Sequence, residues 1–223
     1  QDAKLMEYIY SNQAIPTVIK EGRPVSSISQ PTMNAIILQM LKLKEGLNIL
    51  EIGYGTGWLS ALILDIMNYK GFVTGVEIDK ELVESSRRTI KELNLKNIEI
   101  IQKDGSDGYK GNALYDRIVF TAASKNIPDF VYKQLKKDGL VLLPLMSLTW
   151  NIFSVFRKTK YGLISTDLSM ASFVPLYGNI NSGYYPYTIN LNSIKSTKDN
   201  KPIKLLKKIH IKEITRKYKK GIL

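Results

Sequence analysis

Leu47-Asn48-Ile49-Leu50-Glu51-Ile52-Gly53-Tyr54-Gly55-Thr56-Gly57 decides the fold of this 223-residue chain. Apolar positions run into an acidic residue and then into three alternate glycines. That pattern predicts a buried strand ending in a turn where backbone must approach a ligand closely. Trp58 to Leu64 continues as the start of a helix. A strand, a glycine turn and a helix N-terminus in that order form a nucleotide site, because free amides and the helix dipole point at the bound molecule. Dinucleotide-binding sheets use a similar turn, so the neighbouring segments must say which ligand is meant.

Outward from this turn the chain alternates strand and helix. Helix 58–68 leads to Gly71 and the strand Phe72 to Glu77, and Asp79 caps a helix running to about Leu93. Ile98 to Ile101 is a third strand ending at Asp104-Gly105, and Tyr115 to Ala123 a fourth that runs into small residues. Ile127-Pro128 opens a helix to Lys136, and Gly139 to Pro144 is a fifth strand. Apolar, β-branched strands alternating with helices predict an α/β fold, a doubly wound and mainly parallel sheet. Beyond Trp150, strands 151–157 and 163–173 joined at Tyr161-Gly162 predict an antiparallel edge. Upstream, residues 1–14 have helical spacing, and Ala14 to Pro24 reads as extended chain around two prolines. Ser26 to Met33 reads as a serine-rich loop before the helix Asn34 to Leu43, and the plainest role for such a loop is a helix cap.

Composition narrows the chemistry. There is no Cys and a single His, His210, which argues against disulfides, thiolate nucleophiles, His-based triads and a metal centre. No apolar run reaches the roughly 18–20 residues that span a bilayer, and residues 1–10 lack the charged start and apolar core of a secretory signal. A cytoplasmic protein is expected. The chain opens on Gln rather than Met, which leaves room for upstream residues. The net charge of +12 is uneven: residues 195–223 hold 11 Lys or Arg against Asp199 and Glu213, leaving only +3 for the rest. The basic character therefore belongs to a tail, whereas a nucleic-acid enzyme more often surrounds its catalytic face with positive charge. Residues 177–193, rich in Tyr, Asn and Gly, read as a surface loop, and 201–220 as an exposed basic helix. The division expected is a catalytic domain over 1–176 and an extension over 177–223.

Glu77 ends the second strand 24 positions after Gly53, where a carboxylate can accept both hydroxyls of a ribose. That arrangement serves NAD and S-adenosylmethionine alike. Asp104 would lie at the adenine edge. Glu51 would point toward the methionine end or toward the loop above it.

Ile49 to Gly57 together with Val76-Glu77-Ile78-Asp79 resembles a Rossmann-like class I S-adenosylmethionine methyltransferase. Within that class, Ser27-Ile28-Ser29-Gln30-Pro31 resembles the protein-L-isoaspartate O-methyltransferase family. So do Asp104 to Tyr109, Tyr115 to Ile118, Thr121-Ala122-Ala123, Leu143-Pro144 and Phe173-Val174-Pro175-Leu176. These elements follow the family's order over about residues 12–177. The resemblance implies Ser29 as the catalytic residue, touching the carboxyl group that is methylated. It implies a cofactor site of Gln30, Glu51, Gly53, Gly55, Gly57, Glu77, Ile78, Asp104 and Gly105. It places substrate at Ser27, Ile28, Thr32, Thr121, Ala122 and Val174, with no metal. The cofactor implied is S-adenosylmethionine, leaving as S-adenosylhomocysteine, and the partner is a peptide or protein bearing Asp or isoAsp. The basic extension has no counterpart in the minimal enzyme.

Relatives that tailor ribosomally made peptides resemble the same family but methylate a normal Asp of one precursor, leading to an aspartimide. The altered lead-in at Val18 to Arg23 and the added tail lean toward such specialisation. A nucleic-acid methyltransferase is the alternative of another class. Enzymes that methylate base amino groups commonly carry Pro-Pro-aromatic after the fourth strand, where this chain has Thr121-Ala122-Ala123-Ser124. An NAD-binding oxidoreductase or a silent binding module is a third reading.

Overall fold

The computed structural model describes residue 7 and residues 11–20, 23–146, 151–171 and 187–188. Val174 with its segment 173–176, most of the N-terminal helical stretch and the basic helix 201–220 lie outside the described residues.

Two strands, β1 (Ile15–Lys20) and β2 (Arg23–Ile28), form an antiparallel ribbon separate from the main sheet. Helix α1 (Pro31–Leu41) follows, with Pro31 in its first turn. The main sheet contains β3 (Asn48–Ile52), β4 (Phe72–Glu77), β5 (Ile98–Gln102), β6 (Tyr115–Phe120), β7 (Leu135–Met146), β8 (Asn151–Thr159), β9 (Gly162–Ala171) and β10 (Tyr187–Thr188). Its helices are α2 (Trp58–Ile66), α3 (Lys80–Glu92) and α4 (Asp129–Gln134). The spatial order is β10-β9-β8-β7-β6-β3-β4-β5. From β7 to β5 every pairing is parallel, while β8 and β9 add the antiparallel edge.

The chain leaves β3 outward to β4 and β5, then returns to place β6 on the other side of β3. The sheet therefore reverses direction at β3, and the crevice above its carboxyl end is where an open α/β sheet binds ligands. Alternation along β3 sends Ile49 to a core shared with α1, α2 and α3, through Ile37, Leu41, Leu59, Ile63 and Val83. Leu50 and Ile52 go to the opposite core with Phe130 and Val131 of α4. Both faces are covered, so the strand carries apolar residues on both. Each buried Leu or Ile stabilises the layers by roughly 1.5–3 kcal/mol.

Several boundaries differ from the sequence reading, among them that of α1, expected over Asn34 to Leu43 and observed over Pro31–Leu41. Ser26 to Ile28, read as loop, belong to β2, because β1 lies opposite and pairs Ile15 with Ile28 and Pro16 with Ser27. The predicted helix to Lys136 stops at Gln134, and β7 begins at once. A register shift between Tyr115 and Arg117 takes up Lys136 to Gly139, with Asp138 at φ +61°. A single 3₁₀ turn, Gly105–Asp107, follows β5. Within the predicted surface loop 177–193, Tyr187 and Thr188 pair in parallel with Leu163 and Ile164 of β9.

Candidate active site

The glycine turn is built around a buried tyrosine. Gly53, Gly55 and Gly57 have φ of +83°, +56° and +82°, the left-handed region in which a Cβ is disfavoured. Tyr54 folds back beneath the turn and is 5% exposed. A Cβ at Gly57 would collide with its hydroxyl and ring, and one at Gly75 of β4 would strike the same ring. Two glycines thus make room for one aromatic, and the amide of Gly57 closes the turn onto the Tyr54 carbonyl at 3.0 Å. A Cβ at Gly55 would meet no such clash, with the Ser26 hydroxyl at 3.5 Å and the Gly53 carbonyl at 3.9 Å. Gly57 is also the N-cap of α2 and supplies no side-chain cap, so the first-turn amides of that helix stand at the turn.

Three acidic residues surround the turn. Glu77, at the end of β4, accepts from the backbone N–H groups of Gly55 (2.8 Å), Ile78 (2.8 Å) and Asp79 (3.0 Å). It ties the turn to the adjacent strand end while leaving lone pairs for a further donor. Ile78 beside it is an exposed apolar side chain. Asp104 accepts from the Ser106 N–H at 2.8 Å and caps the 3₁₀ turn. A Cβ on Gly105 would lie 2.6 Å from Cγ2 of Ile52, so this loop packs directly on the end of β3. The carboxylate of Glu51 lies against α2 and accepts a short hydrogen bond from the Ser60 hydroxyl. It is fully buried. Burial foremost, with the Glu77 charge adding to it against the opposing Ser60 hydrogen bond, pushes its pKa up to about 8. Burial, then the nearby Glu51, likewise raises the Tyr54 phenol above its ordinary value.

Thr121 closes the side toward β6. Its hydroxyl donates to the Ile52 carbonyl at 3.1 Å and to the Gly53 carbonyl, and its amide also bonds Ile52. Ala122 behind it is buried. On the open side, β2 brings Ser26 against Gly55, and the Thr17 hydroxyl of β1 donates to that of Ser26 at 3.1 Å. Ser27 is exposed, and Ile28, Ser29 and Gln30 are partly exposed. Ser29 is three residues from Ser26, within about 10 Å by chain reach. Its carbonyl accepts from the buried Asn34 side chain at 2.8 Å. The Gln30 carbonyl accepts from Met33 and Asn34, and Thr32 is held through its amide and hydroxyl by Asn12. The carboxyl ends of β3, β4, β5 and β6 thus meet beside the serine strand. Among the described residues no group of three or more His, Cys, Asp or Glu could hold a metal ion.

Sequence reasoning passed over Ser26, Ser60 and Ser86. The Ser86 hydroxyl donates to the Gly55 carbonyl at 3.1 Å, so the turn is held by Glu77 on its amide and by α3 on its oxygen. Ser86 follows Leu82 and Val83 on the buried face of α3. A small polar residue on an otherwise apolar stripe was the available signal. Ser26 faces inward and Ser27 outward, which period-two reading reveals only once the segment is taken as a strand.

These residues fit S-adenosylmethionine: a glycine turn that a side chain would obstruct, an uncapped helix N-terminus, and a carboxylate at the next strand end. Comparison with known proteins agrees. A family profile for protein-L-isoaspartate(D-aspartate) O-methyltransferase matches residues 2–181. A protein-L-isoaspartate O-methyltransferase of Methanococcus maripaludis is 38% identical over 179 residues, covering 79% of this chain and 81% of the relative. One from Pyrococcus abyssi is 37% identical over 76% of this chain and 77% of its own. A solved protein-L-isoaspartate O-methyltransferase superposes with a TM-score of 0.73 at 26% identity, over 78% of this chain and 56% of that one, so this chain spans little more than half of it. A putative enzyme of the same name from Plasmodium falciparum, solved with S-adenosyl-L-homocysteine, gives a TM-score of 0.63 at 25% identity, over 76% and 82% of the two chains. With the profile running through most of its length, the chain belongs to the protein-L-isoaspartate(D-aspartate) O-methyltransferase family.

Proposed function

We propose that this protein is an S-adenosylmethionine-dependent carboxyl O-methyltransferase acting on isoaspartyl residues of peptides and proteins, in the cytoplasm. The observation that carries the reading is a serine strand lying against the glycine turn, with Ser26 beside Gly55, in a chain whose curated relatives bear that activity in their names. Among the described residues no helix is long and apolar enough to cross a membrane.

A carboxylate of ordinary pKa near 4 is ionised at neutral pH and already nucleophilic. No general base is required, which suits a chain with no Cys and a single His. S-adenosylmethionine, when bound, supplies a sulfonium-activated methyl group. The chain's own residues must hold, align and dry the reactants. The amides of the Gly53 to Gly57 turn and of α2 receive the cofactor's polar end, and Glu77 receives the ribose. Asp104, Gly105 and Ile78 flank the adenine, and Gln30 borders the site from the N-terminus of α1. Ser29 is assigned the catalytic contact: its hydroxyl orients one carboxylate oxygen and leaves the other free to attack. Ser27, Ile28, Thr32, Thr121, Ala122 and Val174 are assigned to the peptide. Alignment within about 3–3.5 Å supplies up to roughly 7–11 kcal/mol as effective molarity.

The test is transfer of label from S-adenosylmethionine to matched Asp and isoAsp peptides. Labelling of the isoAsp peptide supports the proposal. Labelling confined to the Asp peptide would replace it with dedicated tailoring of a normal Asp, and label entering neither would refute carboxyl transfer to peptides.

A further inference from the structure

Among the described residues two acidic side chains are buried, Glu51 and Glu77. They are buried on different terms. Glu77 meets three backbone N–H groups, whereas Glu51 accepts from the neutral Ser60 hydroxyl. The sheet neighbours of Glu51 in register are Gly75 on β4 and Val119 on β6, neither of which carries charge. The groups that act on it are Ser60 of α2 and Glu77 of β4, neither of them a cation. Glu77 repels an anion there, and Ser60 supports one with a single neutral donor. A buried carboxylate without a positive partner is expensive, and such a group keeps its proton.

Glu51 nevertheless stands two residues before Gly53, directly beneath the turn assigned above to a cofactor that carries a sulfonium charge. We propose that Glu51 is a charge-compensating residue, protonated in the cofactor-free enzyme, giving its proton to solvent when the sulfonium binds and taking one back once the methyl group has gone. The charges balance at each stage. A neutral acid becomes a carboxylate as one positive charge enters, so the buried pocket gains no net charge. After transfer the thioether is neutral, and Glu51 regains its proton. The device discriminates cofactor from product by charge, since the neutral product offers Glu51 no reason to ionise. Glu51 is 1% exposed, so the cation rather than solvation sets its state. Ser60 is then a positioning residue whose hydroxyl favours the ionised form.

This inference rests on the glycine turn being the S-adenosylmethionine site, and the experiment separates the two. Calorimetric titrations of the full chain with S-adenosylmethionine and with S-adenosylhomocysteine are run near pH 7 in two buffers of different ionisation enthalpy, for the natural protein and for Glu51→Gln. The paired buffers count protons released on binding. Each ligand's own ammonium contributes alike to both proteins, so the difference between proteins isolates Glu51. With S-adenosylmethionine, the natural protein is expected to release more protons than Glu51→Gln does, by roughly half a proton or more. With the product, the two proteins are expected to release about the same number. Equal release by both proteins with S-adenosylmethionine would overturn the proposal. Binding of neither ligand to the natural protein would overturn the cofactor reading itself, and this inference with it. Should Glu51→Gln not fold, Ser60→Ala serves instead. Removing the donor moves the release profile to higher pH, and an unmoved profile would count against the proposal.

Discussion

The burial of Glu51 has a consequence for stability that needs no ligand to measure. An acid whose pKa is raised on folding binds its proton more tightly in the fold than in the unfolded chain. Its contribution is therefore most favourable below the unfolded value and is lost as pH rises toward the folded one. With 4.5 for the unfolded group and about 8 for the folded one, the window runs from about pH 4.5 to 8. Linkage gives a cost of roughly 1 kcal/mol at pH 5.5 and roughly 4 kcal/mol at pH 7.5. Glu51→Gln keeps the shape of the protonated side chain, and its amide oxygen can still accept from Ser60, but it has nothing to ionise. The variant should therefore gain roughly 2–3 kcal/mol on the natural protein between pH 5.5 and 7.5. For a chain of this size that gain corresponds to about 5–10 °C in melting temperature. Urea unfolding of both proteins at the two pH values provides the measurement. Every other titrating group is common to the pair and cancels in the difference. A stability gap between the proteins that is the same at both pH values would refute the reasoning, because Glu51 would then be ionised in the fold throughout.

Other perturbations probe the same crevice from its remaining sides. Gly57→Ala places a methyl group against Tyr54 at φ +82°; it should destabilise the protein by about 1–3 kcal/mol and abolish calorimetric binding of S-adenosylhomocysteine, and unchanged binding would show that the turn does not hold the ligand. Glu77→Ala strips the acceptor from the Gly55, Ile78 and Asp79 amides; affinity for S-adenosylhomocysteine should fall at least about tenfold, and a smaller loss would remove Glu77 from the ribose site. Ser29→Ala should lower turnover on the isoAsp peptide about 10- to 100-fold with cofactor affinity within about threefold, and an equal loss in both would mean that the loop had been misassigned.

The parts of this fold legible in the sequence are those fixed by local pattern. Ile49 to Ile52 reads as a strand because both its faces are apolar, and Gly53, Gly55 and Gly57 read as a turn because their conformations exclude side chains. Asp79 caps α3 through the Glu81 and Leu82 amides, as its place before the helix indicates. What escaped reading depends on a partner in another element. Ser26 to Ile28 carry weak strand propensity and become strand only because β1 supplies the ladder. Tyr54 looks like an arbitrary residue between glycines until Gly75 of β4 is seen to make room for its ring.

Glu51 is the sharpest instance. A glutamate at a strand end next to a ligand turn is read as an acid facing the ligand, and its spacing from Gly53 supports that. Its state follows first from burial and then from two residues that no local window contains together: Ser60 of α2 and Glu77, two residues past its register partner on β4. Sequence pattern can place a charged residue in a motif, but only the surrounding groups decide whether it is charged. In this crevice that decision separates an anion fixed in place to attract the cofactor from an acid that ionises when the cofactor arrives. The fixed anion would carry its desolvation cost at all times, with no cation beside it to offset it. The acid meets that cost only when the incoming positive charge repays it, and the bonding around Glu51 matches the second arrangement.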